Sequence, residues 1–349
     1  MLDKVVTAVG TPNIALVKYW GKRDDELTLP INGSVSMTLG RSRKGEFATV
    51  TSVVFSKKFR KDTIYVDGIK RDITDKRVNV VVNKLRALAK TSARVLIVSK
   101  NMFPADAGVA SSASGLSTLT FAAAKALDLN LSDKELSMIA RLGSGSASRS
   151  MYGGFVVWHR GKRKDGMDSY AEQIMPFSHW PDMVDIIALT DTGKKEVSTS
   201  EAMGRSAKTS RLYAHRAKSA ERNVSDITKA IRDKDFETLG RIAMQDSNNM
   251  HAVMLDTMPP VTYLNDVSKR IMKSIHALNE REGHVVAAYT FDAGPNAHII
   301  TTKKKEETVM RELSKIKGIV SVNSLGIAKN GPVLESSSLI DGRTLEKKR

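Results

Sequence analysis

Cysteine is absent from all 349 residues, which excludes disulfides, thiolate metal sites and cysteine nucleophiles. No apolar run approaches the ~20 residues a membrane span needs, and Met1 to Gly10 lacks a signal-peptide pattern, so a cytoplasmic chain with no membrane partner is expected. Aromatic residues make up only 5% of the chain, and that scarcity bears on the charge. Lys and Arg number 55 against 38 Asp and Glu, a net charge of +17, which invites a nucleic-acid partner. The basic groups, such as Lys57, Lys58, Arg60 and Lys61 or Lys303, Lys304 and Lys305, are scattered and carry no interleaved aromatics, so no nucleic-acid partner is expected. A small substrate bearing several phosphates would profit from the same field.

A chain of this length buries a large core and exceeds one compact unit, which predicts two closely packed lobes with a cleft between them. Alternating apolar segments at Ala48 to Phe55, Thr63 to Val66, Val95 to Val98 and Gly153 to Trp158 read as strands. Segments of 3.6-residue period at Asn79 to Ala89, Ser112 to Leu127, Asp133 to Leu142, Ala217 to Ile231 and Thr262 to Glu280 read as helices, and Ser132 with Glu135 forms a capping box that starts the third. Without a regular βαβ repeat, the pattern predicts an α+β fold. The stretch Met175 to Asp182 is the best place for a boundary, giving lobes 1–180 and 181–349.

The segment Asn101 to Gly115, NMFPADAGVASSASG, is a loop of small residues opening into a helix. Unpaired N–H groups and the positive end of the helix dipole make such a terminus attractive to phosphate, and Gly108, Ala110, Ser111, Ser112 and Ala113 let an anion approach closely. Three further segments concentrate polar chemistry: Thr11 to Lys22, Arg141 to Gly154 and Phe291 to Ala297. They bring Lys18 and Lys22, then Ser144, Ser146 and Arg149 among glycines, then Asp292 in a Gly-Pro turn. An arginine fork in such a setting suits a carboxylate or phosphate. Taken singly, Lys18 reads as a surface lysine and Asp292 as a turn cap.

The ordered segments ALVKYWGKRDDELTLPINGSVSMTL, NMFPADAGVASSASG, RLGSGSASRSMYGGFVVW, FSHWP, DSNNMHAVMLDTMPPVTYLN and AYTFDAGPNAH closely resemble the diphosphomevalonate decarboxylase family of the GHMP kinase superfamily. The resemblance runs from about Val9 to His298 and loosens after Lys303. It implies a GHMP-type two-lobed α+β fold, often a homodimer, with a phosphorylated mevalonate in the cleft. It makes Asp292 the essential carboxylate and Lys18 its neighbouring cation. Arg149 and Asn13 would hold the substrate carboxylate, and Tyr19, Lys22, Ser144 and Ser146 the 5-phosphate end, with Trp20 and Met203 also at the substrate. Ser111 and Ser112 with nearby amides would receive the phosphate at the 3-oxygen. No metal ligand among the side chains is implied.

The family's phosphate loop reads roughly NNFPTAAGLASSAAG, whereas this chain has Met102, Ala105 and Asp106 at the altered positions. A carboxylate close to a triphosphate in a partly dry site would be repelled by roughly several kcal/mol. Loss of loop residues with Lys18, Arg149 and Asp292 kept suggests the archaeal branch that acts without a nucleotide. The expected activity is therefore decarboxylative elimination of the 3-phosphate of mevalonate 3,5-bisphosphate to isopentenyl phosphate, CO2 and phosphate, with no cofactor. The alternative is an ATP- and Mg2+-dependent decarboxylase of 5-diphosphomevalonate or its monophosphate, favoured by the intact GVASSASG. A non-catalytic phosphometabolite sensor or nucleic-acid-binding relative, motivated by the net charge, stands third.

Overall fold

The computed structural model describes residues 2–42, 46–71, 75–103, 111–190 and 196–348, and for Ser111 the backbone alone. Three larger sheets and a two-stranded ribbon of Lys22–Asp24 with Leu29–Pro30 carry the α+β architecture among the described residues. The largest has six strands in the order Val333–Leu334, Val6–Gly10, Thr49–Ser56, Arg94–Asn101, Thr63–Val66 and Ile69–Arg71. Its pairings are antiparallel except between Thr63–Val66 and Arg94–Asn101.

Period-two alternation sets the two faces of this sheet. Val53, Phe55, Val95 and Ile97 pack against the helices Lys76–Leu88, Ser111–Ala126 and Asp133–Gly143. Val54, Leu96 and Val98 point the other way and are covered by Ile340 and Leu345 of the C-terminal segment. Ser132 and Glu135 close the expected capping box at the third helix.

A second sheet runs Ala171–Met175, Phe155–Trp158, Ser34–Thr38, Asn13–Val17, and a third Ala287–Phe291, Ala297–Thr302, Met183–Leu189, Ser321–Gly326. Helices Tyr213–Asp233 and Phe236–Leu255 contribute to a core shared by both, in which Ile14, Leu16, Ile187 and Ile300 meet Ile227, Ile231 and Leu239. Helices Asp266–Glu282 and Lys303–Ser314 cover the third sheet. The helix expected from Thr262 begins only at Asp266, because Asn265 caps it through the Ser268 amide. Among the described residues no helix is long and apolar enough to cross a membrane.

Helix Phe236–Leu255 places His251 edge-on to Phe291, ring centroids 6.3 Å apart, at 5% exposure. Burial, reinforced by the Lys18 ammonium, pulls its imidazole down to about 4. An unfolded imidazole titrates near ~6.5, so between the two values the unfolded chain binds the extra proton. Stability is thus complete above that window and falls as pH drops through it, by roughly 3 kcal/mol from this residue. Denaturant unfolding from pH ~7 to ~4 should show a smaller loss for His251→Leu than for the parent; parallel curves would mean that His251 is charged in the folded protein.

Candidate active site

The site is assembled from strand ends. Strand Asn13–Val17 is bulged between Ala15 and Val17, and the chain leaves it at Lys18 as an irregular Lys18–Gly21 segment. Gly21 is required there: its φ is +112°, and a Cβ would lie 2.0 Å from the Tyr213 hydroxyl oxygen. Strand Ala287–Phe291 ends immediately before Asp292. The tight turn Gly145–Met151 delivers Arg149, and Gly145 lets it pack, since a Cβ would meet Trp158 at 2.6 Å.

These ends surround one cavity of about 640 Å³. Asn13, Lys18, Tyr19, Trp20, Lys22, Ser112, Ser144, Ser146, Arg149, Met203 and Asp292 all line it. The remaining phosphate-loop candidates, Gly108 and Ala110, lie outside the described residues together with Asp106, as does the side chain of Ser111.

Lys18 Nζ donates to Asp292 Oδ1 at 2.7 Å, with the lysine side chain 2% exposed and the aspartate opening to the cavity at 46%. Burial alone would raise the Asp292 carboxyl, but the charges of Lys18, His298 and Arg149 and the Lys18 hydrogen bond outweigh it and hold it at about 2. Burial lowers the Lys18 ammonium, with Asp292 and Asp246 opposing. The carboxylate is therefore ionised at neutral pH. Burial also pulls the Arg149 guanidinium down to about 10, still charged at neutral pH.

Asn13 is more committed to the protein than its expected substrate role suggests. Its Nδ2 donates to the Ser146 carbonyl at 3.0 Å and to Ser150 Oγ at 2.8 Å, while its Oδ1 accepts from Arg149 Nε at 3.2 Å. Arg149 Nη1 donates to Ser34 Oγ at 2.7 Å. The guanidinium is thus aimed before any ligand arrives. Ser144 and Ser146 share a 3.1 Å hydrogen bond, and Lys22 pairs with Asp25 at 3.1 Å. Trp20 and Met203 form an apolar wall with Met250, Met254 and Ala293. The hydroxyl of Tyr19 is buried without a hydrogen-bond partner, a polar atom in the wall that a ligand would satisfy.

Sequence reasoning missed several lining groups. His298 faces the cavity with Nδ1 2.6 Å from Asp185 Oδ2, both side chains buried. A lone carboxylate inside the apolar run MVDIIAL was the available signal. Ser198, Thr199 and Ser200 bring a second helix start, Thr199–Thr209, to the wall. Lys76 and Arg77 add cations from a third helix.

A smaller cavity of about 320 Å³ shares Arg77 and Ser112 with the first. Its wall combines Ile64, Val66, Val78, Ile97, Leu116 and Leu119 with Asp67, Ser99 and Asn101. Thr51, Arg71 and Asp75 add to its polar side, so the cavity is mixed in character and adjoins the helix that starts at Ser111. Among the described residues no group of three or more His, Asp or Glu could hold a metal ion alone.

The model of the diphosphomevalonate decarboxylase-like N-terminal domain matches residues 10–171, and that of the mevalonate 5-diphosphate decarboxylase C-terminal domain residues 185–335. The diphosphomevalonate decarboxylase of Debaryomyces hansenii is 41% identical over 329 residues, 89% of this chain and 84% of the yeast protein. The mevalonate diphosphate decarboxylase of Enterococcus faecalis, solved to describe its mevalonate diphosphate-mediated ATP binding, superposes at TM-score 0.85 with 33% identity, covering 96% of this chain and 100% of its own. A complex of MDDEF with MVAPP, AMPPCP and magnesium superposes at 0.86 with 34% identity, covering 96% and 100%.

These relatives overturn the expected nucleotide-free elimination from mevalonate 3,5-bisphosphate, and with it the expectation of no cofactor. That expectation rested on repulsion between Asp106 and a triphosphate. Asp106 lies outside the described residues, so no distance supports the repulsion. The chain belongs to the diphosphomevalonate decarboxylase family and is a carboxy-lyase of the mevalonate pathway.

Proposed function

We propose that the protein catalyses the ATP- and Mg2+-dependent decarboxylation of 5-diphosphomevalonate to isopentenyl diphosphate, with CO2, ADP and phosphate as the other products. The observation that carries this reading is the Lys18–Asp292 pair, its lysine buried and its carboxylate open to a cavity that also holds a pre-aimed Arg149 and the start of a small-residue helix at Ser112. MgATP supplies the phosphoryl group that turns the 3-oxygen into a leaving group.

The chain's own groups do the rest. Arg149, aimed by Asn13 and Ser34, holds the substrate carboxylate; Tyr19, Lys22, Ser144 and Ser146 hold the 5-diphosphate; Ser112 and neighbouring amides hold the transferred phosphate. Trp20 and Met203 exclude water on the opposite wall. Departure of the 3-phosphate from a tertiary carbon develops positive charge at C3, and a fixed carboxylate beside it stabilises that charge. The ionised Asp292 is also placed to take the proton that the 3-hydroxyl gives up on phosphorylation, so one carboxylate serves both halves of the reaction. Lys18 keeps the carboxylate charged and oriented. The division into lobes near residue 180 and a homodimeric, cytoplasmic enzyme belong to the same reading.

With MgATP and 5-diphosphomevalonate, CO2 and ADP should appear together, and Asp292→Asn should lower kcat by about 10³-fold or more with the fold intact by circular dichroism. CO2 release without nucleotide, or an active Asp292→Asn enzyme, would overturn the reading. Removing the ammonium in Lys18→Met leaves burial to raise the Asp292 carboxyl, so the acid limb of the residual kcat/KM profile should move to higher pH. An unmoved limb would show that Lys18 does not set the charge on Asp292.

A further inference from the structure

Lys18 follows the last residue of a strand, where its backbone groups have no neighbouring strand to pair with. A buried ion pair takes both. Its N–H donates to Asp246 Oδ2 at 2.7 Å, and its carbonyl accepts from Arg216 Nη2 at 3.1 Å. Arg216 and Asp246 are bound to each other, Nη2 to Oδ2 at 3.0 Å and Nη1 to Oδ1 at 3.2 Å, at 1% and 0% exposure. Asn223 Nδ2 donates to the second Asp246 oxygen at 3.1 Å, and Asn32 Nδ2 donates to the Lys18 carbonyl at 3.0 Å.

We propose that Asp246 and Arg216 are positioning residues for the decarboxylation, acting through the backbone of Lys18 to place its ammonium on Asp292. This rests on the reading of Lys18 and Asp292 given above.

The physical case has three parts. A buried ion pair is expensive to desolvate, and a packed apolar pair would hold the helices Tyr213–Asp233 and Phe236–Leu255 together as well or better, so helix packing alone does not account for it. Its geometry is instead matched to one peptide unit on each side of Lys18: the carboxylate addresses the N–H and the guanidinium the carbonyl. The two ends of Lys18 are thereby tied to the same element. Its main chain is bound to helix Phe236–Leu255 through Asp246, and that helix also supplies Ser247, whose Oγ accepts from the Phe291 amide at 2.9 Å, one residue before Asp292. One helix thus sets the lysine backbone and the aspartate backbone against each other. A shift of the Asp246 carboxylate by one methylene would propagate to Nζ, and misplacements of that size at a reacting centre cost rate far more than binding.

Asp246→Glu keeps the charge and the ion pair but displaces the acceptor for the Lys18 N–H. The expected result is a 10- to 100-fold fall in kcat with KM for 5-diphosphomevalonate within about threefold and a melting temperature close to the parent's. Hydrogen exchange gives an activity-independent readout: the Lys18 amide should exchange at least about tenfold faster in the variant while the amides of Asn13–Val17 stay unchanged. A folded Asp246→Glu with kcat within threefold of the parent would overturn the proposal, as would an unchanged Lys18 amide. If Asp246→Glu does not fold, Asn223→Ala loosens the same carboxylate from a half-buried position, with a 3- to 10-fold fall in kcat expected and an unaltered kcat overturning. An inactive parent enzyme with the exchange result intact would count against the proposed reaction and leave the clamp standing.

Discussion

An ammonium almost wholly withdrawn from water is tolerable only beside a carboxylate, and Lys18 finds one 274 residues away in Asp292. Every other feature of the site is arranged around that contact. The lysine stands at the exit of a bulged strand near the N-terminus and the aspartate at the end of a strand near the C-terminus, and Thr290 of the second strand donates to the Ala15 carbonyl of the first at 3.4 Å. Because separating the two leaves a buried ammonium uncompensated, the pair also commits the chain to bring these distant segments together. The same proximity sets the protonation of its surroundings: the Lys18 charge helps to keep His251 neutral and Asp292 ionised.

Much of this architecture was legible in the sequence, and for local reasons. Strands such as Thr49–Ser56 and Arg94–Asn101 alternate because one face meets helices and the other the C-terminal segment, so period two survives in the residues. The capping box at Ser132 is a four-residue device that needs no tertiary information. Helix Phe236–Leu255 escaped because its middle, DSNN, is polar for reasons that lie elsewhere: Asp246 serves Lys18 and Arg216, and Ser247 serves Phe291. A helix that carries site-building polar groups on its buried side has no clean apolar stripe to read. Asp185 and His298 were hidden in the same way, each within an apolar strand and meaningful only once those strands are paired.

The candidate residues were legible for a different reason. Arg149 and Asp292 sit in segments rich in glycine, serine and proline, where close backbone approach leaves a compositional mark, and Lys18 is a lone charge between the apolar runs IALV and YW. Their division of labour was not. Asn13 reads as a ligand-binding amide, yet its donors and acceptor are taken by the turn that carries Arg149. Nucleotide use is not legible from Asp106, because the Coulomb energy between one carboxylate and a triphosphate has no magnitude without a distance. The second cavity beside Ser112 was invisible in sequence because Ile64, Ile97 and Leu116 look like ordinary core.

The net charge of +17 takes its meaning from the same geometry. At physiological ionic strength exposed charges are screened beyond about 8 Å, so lysines scattered over the far surface add little to the affinity for a small anion. What counts is the wall itself, where Lys22, Lys76, Arg77 and Arg149 stand against Asp25 and Glu26 once Lys18 and Asp292 have neutralised each other. The wall is thus cationic but interrupted by an opposed pair. That interruption is what a charge-separating reaction requires: cations where phosphate is bound and released, and a single held carboxylate where positive charge appears on carbon.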